Sequence, residues 1–320
     1  MKFYLGPFQG ITEAAYRNAF TSHFEGIDIA MCPFITNVHG RKIKSVHSYD
    51  LWPENNQKMD TIPQMLSKDP EEMFSIANTC KDLGYKEINW NLGCPFPKVA
   101  NKQRGSGLLS FPEKIEEILL SLQDNFPIKM SIKCRLGYTN PLEIQKLIPI
   151  FNSFKLSEVI IHPRIGKQLY KGTADIQKFK ELFPKLTAPV VYNGDIYTAK
   201  DWNEKNKLFE GKIDRWMLGR GLLINPFLAE EIHGKYTINP EERKTRLQGF
   251  LYDLLSLQLE RFSNENNAIN RMKELWSYLS KSFENPTEAF RYIRKAKTTA
   301  EYRQGENQIF RNCNFVETQK

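Results

Sequence analysis

Eight short apolar runs, separated by stretches of helical character, limit what this 320-residue chain can fold into. They cover residues 3–5, 27–31, 62–66, 86–91, 128–134, 158–162, 189–193 and 215–218, and most begin roughly 25 to 42 residues after the one before. The runs are continuous rather than alternating, as parallel strands covered on both faces are. Between them the sequence predicts helices over 70–83, 112–123, 141–151 and 199–207. Pro112 and Pro141 suit a first helical turn, where the missing N–H has no partner to lose. Thr198 and Asp201 have the spacing of a capping box. Eight β-then-α units within about 230 residues predict a (β/α)8 barrel, an architecture of ~250 residues. The competitor is a doubly wound dinucleotide-binding sheet. It needs G-x-G-x-x-G after the first strand, where this chain has Gly6-Pro7-Phe8-Gln9-Gly10.

Near Pro240 the strand pattern stops. Leu247, Phe250, Leu251, Leu254, Leu255, Leu257 and Leu259 form a helical stripe. Met272, Leu275, Trp276 and Leu279 form a second, and Phe290, Ile293 and Arg294 belong to a third. The expected division is therefore a catalytic barrel over 1–238 and a small carboxyl-terminal helical bundle over 239–320. With 41% apolar residues the chain can bury a large core. No segment reaches the roughly 18 uncharged apolar residues that span a bilayer, and Gly6-Pro7 breaks the amino terminus too early for a signal peptide. A soluble cytoplasmic protein is expected. The five cysteines, Cys32, Cys80, Cys94, Cys134 and Cys313, are odd in number and contain no CxxC pair, which argues against a disulfide framework and a structural zinc site. A net charge of +8 favours a polyanionic partner, nucleic acid above all, although an ordinary basic enzyme has such a charge too.

The predicted strand ends carry the chemistry. Polar groups stand at Pro7-Phe8-Gln9, Gln64, Asn91-Leu92-Gly93-Cys94-Pro95, Lys133-Cys134-Arg135, His162-Pro163-Arg164, Asn193-Gly194-Asp195 and Gly219-Arg220-Gly221. Each has a bland reading: Gln64 as a core amide, Lys133 as a salt-bridge partner, His162 as a satisfied buried histidine. Together they converge on one barrel mouth, where catalytic groups of this architecture sit. The glycine turns after the last two strands stand where barrels bind phosphate, and Arg220 adds a charged donor. Cys94 is a thiol on a loop at a strand end. Lys98, Lys102 and Arg104 share its loop, and Arg291-Tyr292-Ile293-Arg294-Lys295-Ala296-Lys297 is the densest basic stretch of the helical region.

In this order the motifs resemble the tRNA-dihydrouridine synthases, flavin-dependent (β/α)8 enzymes with a helical carboxyl-terminal domain. Gly105 to Leu109 and Leu136-Gly137 belong to the same match. Trp276-Ser277-Tyr278-Leu279 is similar to the bacterial subfamily acting on tRNA position 16. The resemblance implies bound FMN, NADPH (or NADH) as reductant, and reduction of a uridine C5=C6 bond in tRNA by a monomer with no membrane or stable protein partner. It implies that Pro7, Phe8 and Gln9 line the flavin, and that Gln64 and Lys133 meet the isoalloxazine edge. By the same resemblance, His162, Asn193, Gly194, Asp195, Gly219 and Arg220 would hold the phosphate end. The resemblance likewise implies that Cys94 would be the catalytic acid and that Asn91 would help place the uracil. Lys98, Arg104, Arg291, Arg294 and Lys295 are expected to contact tRNA. Phe8 stands where the family usually has Met, and Pro163 where it commonly has Gly. Two rivals remain: a flavin barrel acting on a free pyrimidine, and a tRNA-binding module without turnover.

Overall fold

The computed structural model describes residues 1–36, 45–235 and 239–316. Nine parallel strands form one sheet: β1 (Lys2–Leu5), β2 (Ile29–Met31), β3 (Asp60–Ile62), β4 (Gln64–Met65), β5 (Glu87–Leu92), β6 (Lys129–Gly137), β7 (Val159–Ile165), β8 (Val190–Tyr192) and β9 (Arg215–Leu218). Their order is β3-β2-β1-β9-β8-β7-β6-β5-β4. The two edges, β3 and β4, are halves of one extended segment broken at Pro63. Proline has no N–H for the ladder, so pairing stops there. The Pro63 carbonyl still accepts the Asn89 N–H at 2.8 Å. Nine strands are thus the eight expected ones with the third divided, and the sheet closes as a barrel.

Helices follow the strands: α1 (Ala14–His23), α2 (Pro70–Asp82), α3 (Pro112–Leu122), α4 (Glu143–Ser153), α5 (Ile176–Leu182) and α6 (Ala199–Leu208). Proline opens α2 and α3, and Thr198 with Asp201 caps α6 reciprocally. Pro141 does not open α4. The Glu143 carboxylate accepts the N–H groups of Tyr138, Thr139 and Asn140 and holds the chain in a turn, so the helix starts at Glu143 and carries Pro149 inside it.

Alternation along the strands separates two layers. Phe3 and Leu5 pack outward under the helices, whereas Tyr4, Met31, Ile160, Val191 and Met217 fill the barrel interior. Opposite them the interior is polar. Asn91 Nδ2 donates to Gln64 Oε1 (2.7 Å), Gln64 Nε2 to Asn89 Oδ1 (2.8 Å), and Asn89 Nδ2 to Ser131 Oγ (3.0 Å).

The helical region comprises α7 (Pro240–Arg261), α8 (Glu265–Leu279), α9 (Pro286–Ile293) and α10 (Thr299–Asn312). Of the first expected stripe, Leu247 to Leu255 are buried, while Leu257 and Leu259 are half-buried. The boundary expected at 238 falls on residues outside those described. α7 lies along α1: the Phe250 ring meets Tyr16 edge-on at 5.6 Å, and His23 Nε2 is 2.7 Å from Asp253 Oδ2. One hydrophobic core runs through barrel and helices. All five cysteines are free. No helix among the described residues is long and apolar enough to cross a membrane.

Candidate active site

Strand alternation also decides what reaches the mouth. On β6, Lys133 and Arg135 stand above Ser131 on the inward face, and on β7, His162 and Arg164 stand above Ile160. A small, solvent-open hollow lies among the loops after β1, β7, β8 and β9. Pro7, Phe8, Lys133, His162, Asn193, Gly194, Asp195, Gly219 and Arg220 all line it.

Its polar wall is preset. Arg164 is buried and grips Asp195 with both terminal nitrogens, Nη1 to Oδ1 at 2.8 Å and Nη2 to Oδ2 at 2.6 Å. Arg220 Nη2 reaches the same Oδ1 at 2.9 Å, and the Ala174 N–H reaches Oδ2 at 2.9 Å. Burial pushes the Asp195 carboxyl up, but Arg164, Ala174 and Arg220 outweigh it and hold the group below the usual range. His162 Nε2 lies 3.1 Å from Arg164 Nη1. A guanidinium only donates, so Nε2 carries the lone pair and the proton sits on Nδ1. Burial, reinforced by Arg135, Lys133, Arg164 and Arg220, keeps this ring far below its ordinary pKa and therefore neutral. The Lys133 ammonium makes no hydrogen bond or ion pair among the described residues. Burial, with Arg135 beside it, pulls its ammonium down to about 8. A Cβ on Gly219 would stand 3.6 Å from the Phe8 ring and 3.9 Å from Asn193 Nδ2, so the missing side chain leaves the cavity wall open. An unpaired ammonium and an excess of cations over the single Asp195 carboxylate, around a glycine-lined hollow, fit an anionic, phosphate-bearing ligand.

Cys94 sits on the neighbouring loop after β5. Asn91 Oδ1 accepts the N–H groups of Gly93 (3.0 Å) and Cys94 (2.9 Å), which bends the chain into an Asx turn. Ser106 donates to the Cys94 carbonyl from both N and Oγ, each at 3.0 Å. Gly105 has φ +55°, and a Cβ there would come 2.7 Å from the Cys94 carbonyl oxygen. Only glycine permits that approach. Arg135 Nε donates to the Gly93 carbonyl at 3.1 Å, and its Nη1 to the Leu169 carbonyl at 2.6 Å. Cys94 is 8% exposed. Burial pushes its thiol up, against smaller downward pulls from the Phe96 N–H, Arg135 and Lys133, so the sulfur is protonated at neutral pH.

Other expected site residues take different places. Gln64 is fully buried below the mouth with both ends of its amide bonded, so it does not reach the cavity. The Asn91 amide is likewise engaged by the turn and by Gln64. Gln9 is exposed and does not line the cavity. Lys98 is exposed, whereas Arg104 pairs with Glu72 at 3.4 Å. Arg294 and Lys295 are exposed, and Arg291 pairs with Glu288 at 3.3 Å. The helical region reaches the mouth through Tyr278, whose ring meets Phe8 edge-on at 5.9 Å. Pro163 keeps a structural role through its carbonyl, which accepts the Asp175 N–H at 2.7 Å.

Tyr170 and Tyr197 in the cavity wall escape sequence reasoning. Tyr170 is positioned by a turn in which Lys171 N–H bonds the Gln168 carbonyl at 2.9 Å and Leu169 takes φ 53°, ψ −109°. This is a type II′ geometry with leucine in the glycine position, and such backbone costs about 1–3 kcal/mol. Arg135 holds that strained carbonyl. The guanidinium of Arg220 lies 4.7 Å from the Tyr170 ring centre and 5.5 Å from that of Tyr197.

A family model described as Dihydrouridine synthase (Dus) matches residues 4–319. The chain belongs to the dihydrouridine synthase family. Among relatives of known name, the tRNA-dihydrouridine(16) synthase of Neisseria meningitidis serogroup A is 26% identical over 313 residues, 93% of this chain and 92% of that protein. The tRNA-dihydrouridine synthase B of Pasteurella multocida is 28% identical over 235 residues, 71% of this chain and 67% of its own length. An old yellow enzyme homologue from Zymomonas mobilis superposes with a TM-score of 0.52 over 74% of this chain and 90% of that one, at 8% identity. A GH18 chitinase from Pseudoalteromonas aurantia does so with a TM-score of 0.50, over 74% and 100% of the two chains, again at 8% identity. These two likenesses show the barrel fold alone.

Proposed function

We propose that this member of the family reduces a uridine in tRNA to 5,6-dihydrouridine, with FMN as bound cofactor and NADPH as reductant. The observation that carries the reading is the meeting, at one barrel mouth, of a protonated thiol with a glycine-lined cavity that holds the Arg220 guanidinium and the unpaired ammonium of Lys133. When bound and reduced, FMN would supply the hydride that C6 of the uracil takes up. Arg220, Gly194 and Gly219 bind the phosphate end, with Asp195 and Arg164 fixing the Arg220 guanidinium. His162 offers Nδ1–H as a neutral donor. Lys133 would offer a titratable cation to the bound flavin and stabilise negative charge on it. Cys94 Sγ–H holds the proton that C5 requires, and Asn91, Gly105, Ser106 and Arg135 keep that sulfur in position.

Residues 239–320 serve as the tRNA-recognition domain in this reading. The relative that acts at position 16 aligns over both regions of the chain, whereas the synthase B relative aligns over 71% of it, and this favours uridine 16 as the target. The enzyme acts as a cytoplasmic monomer. The test is to incubate the purified, flavin-loaded protein with NADPH and tRNA from a strain lacking dihydrouridine, and to map the product. Dihydrouridine at position 16 is expected. Reduction of free uracil or orotate without activity on tRNA would replace this reading with that of a free-pyrimidine enzyme.

A further inference from the structure

The loop that carries Cys94 bears an aromatic side chain that the protein core does not use. Phe96 is 59% exposed. It stands between Pro95 and Pro97, with φ −62° and ψ 134°, at the cap of a single helical turn, Pro97–Ala100. Two prolines restrict the backbone here, so little conformational freedom remains to be lost on binding. Its own N–H is turned toward the Cys94 sulfur. Around it the surface is open and cationic: Pro97, Lys98, Asn101 and Lys102 are all exposed. Neither Lys98 nor Lys102 has an ion-pair partner among the described residues. Arg104, by contrast, is tied back to Glu72.

Cys94 itself is recessed at 8% exposure. A uracil must leave its stack to reach it, and the nucleotide that leaves opens a gap between its former neighbours. Two residues of extended chain span at most ~7 Å, so Phe96 lies at the edge of whatever enters over Cys94. We propose that Phe96 is a base-stacking wedge: its ring occupies the place vacated by the extruded uridine, and Lys98 and Lys102 hold the flanking phosphates. Phe96 is a positioning residue, touching the neighbouring bases rather than the reacting one. Aromatic wedges of this kind are how nucleic-acid proteins hold a disrupted stack, and base–aromatic stacking tolerates any sequence.

The proposal rests on the tRNA reading, and the experiment separates the two. Flavin-loaded wild type, Phe96→Ala and Phe96→Trp are assayed with intact tRNA and with a short single-stranded oligonucleotide containing one uridine. With tRNA, Phe96→Ala should raise KM about tenfold or more, leave flavin reduction by NADPH unchanged, and be rescued by Phe96→Trp. With the single strand, whose uridine needs no extraction, alanine and wild type should differ by less than about twofold. Equal KM for wild type and Phe96→Ala on tRNA would overturn the wedge while leaving the tRNA reading intact. An equal loss on both substrates would also overturn it, because Phe96 would then touch the reacting uridine or support the fold. Absence of dihydrouridine with wild-type protein would instead remove the tRNA reading itself.

Discussion

The two sides of the barrel mouth are built by opposite means. After β7, β8 and β9, the polar groups are buried or half-buried and mutually paired: Arg164 to Asp195, Asp195 to Arg220, His162 to Arg164. After β5, the backbone of the thiol loop is held rigidly by Asn91, Ser106 and Arg135, yet its outer surface carries unpaired lysines and an exposed phenylalanine. The difference teaches what each side meets. A small resident ligand rewards a preorganised wall, because donors fixed beforehand lose little on binding. A large, transient polyanion rewards free cations and accessible rings, which gain partners only in the complex.

The sharpest way to break this contrast is to remove the one group that the rigid loop exists to place. Cys94→Ala should keep flavin binding and flavin reduction but lower the single-turnover rate of uridine reduction by 10²–10⁴-fold. A wild-type rate would dismiss Cys94 as the acid. On the paired side, Asp195→Asn leaves the buried Arg164 without its counter-charge. A loss of about 3 kcal/mol in unfolding free energy is expected, together with weaker retention of flavin. Urea denaturation of the apoprotein and fluorescence titration with FMN measure the two parts.

Lys133 gives a smaller effect with a definite sign. Its folded pKa of about 8 lies below the 10.5 of the free side chain. Between those values the unfolded chain binds the extra proton, so apoprotein stability rises with pH through this window. Below about 8 the penalty of burying the ammonium is fully present. Lys133→Met should flatten that rise in denaturation profiles taken from pH 7 to about 10.5. Addition of FMN to the wild type should flatten it too, by supplying the negative charge that Lys133 lacks. The smallest effect is expected in the helical region. Replacing Arg291, Arg294 and Lys295 together by alanine should raise the tRNA Kd and reduce the salt slope by up to about 2–3. Arg291 contributes least because Glu288 already competes for it. An unchanged slope would assign tRNA contact to other residues.

Much of the mouth was legible along the chain because a parallel barrel presents its strand ends on one face. Lys133, His162, Asn193 and Arg220 needed only correct strand placement to be brought together. Gln64 shows where that logic stops. It stands on the inward face as expected, but strand alternation does not give height, and the segment broken at Pro63 leaves it below the mouth among other amides. Pro141 failed as a helix start because Glu143 organises the preceding turn through long side-chain reach, which spacing alone does not reveal. Leu169 carried no signal at all. Nothing local distinguishes a leucine in a glycine conformation until Arg135, far away in sequence, is seen holding its carbonyl.

By itself the sequence determined the barrel, its helical appendage, and the set of groups at the strand ends, because these follow from local periodicity and from the chemistry of residue types at turns. Only the tertiary structure decided which of those groups are free and which are engaged. It paired Arg164 with Asp195 and Arg104 with Glu72, and sealed Gln64 in the barrel, while leaving Lys133 unpaired and Phe96 exposed. The reason is that a polar group's chemistry depends on its burial and its partners, and partners tens of residues away are set by packing rather than by sequence neighbourhood.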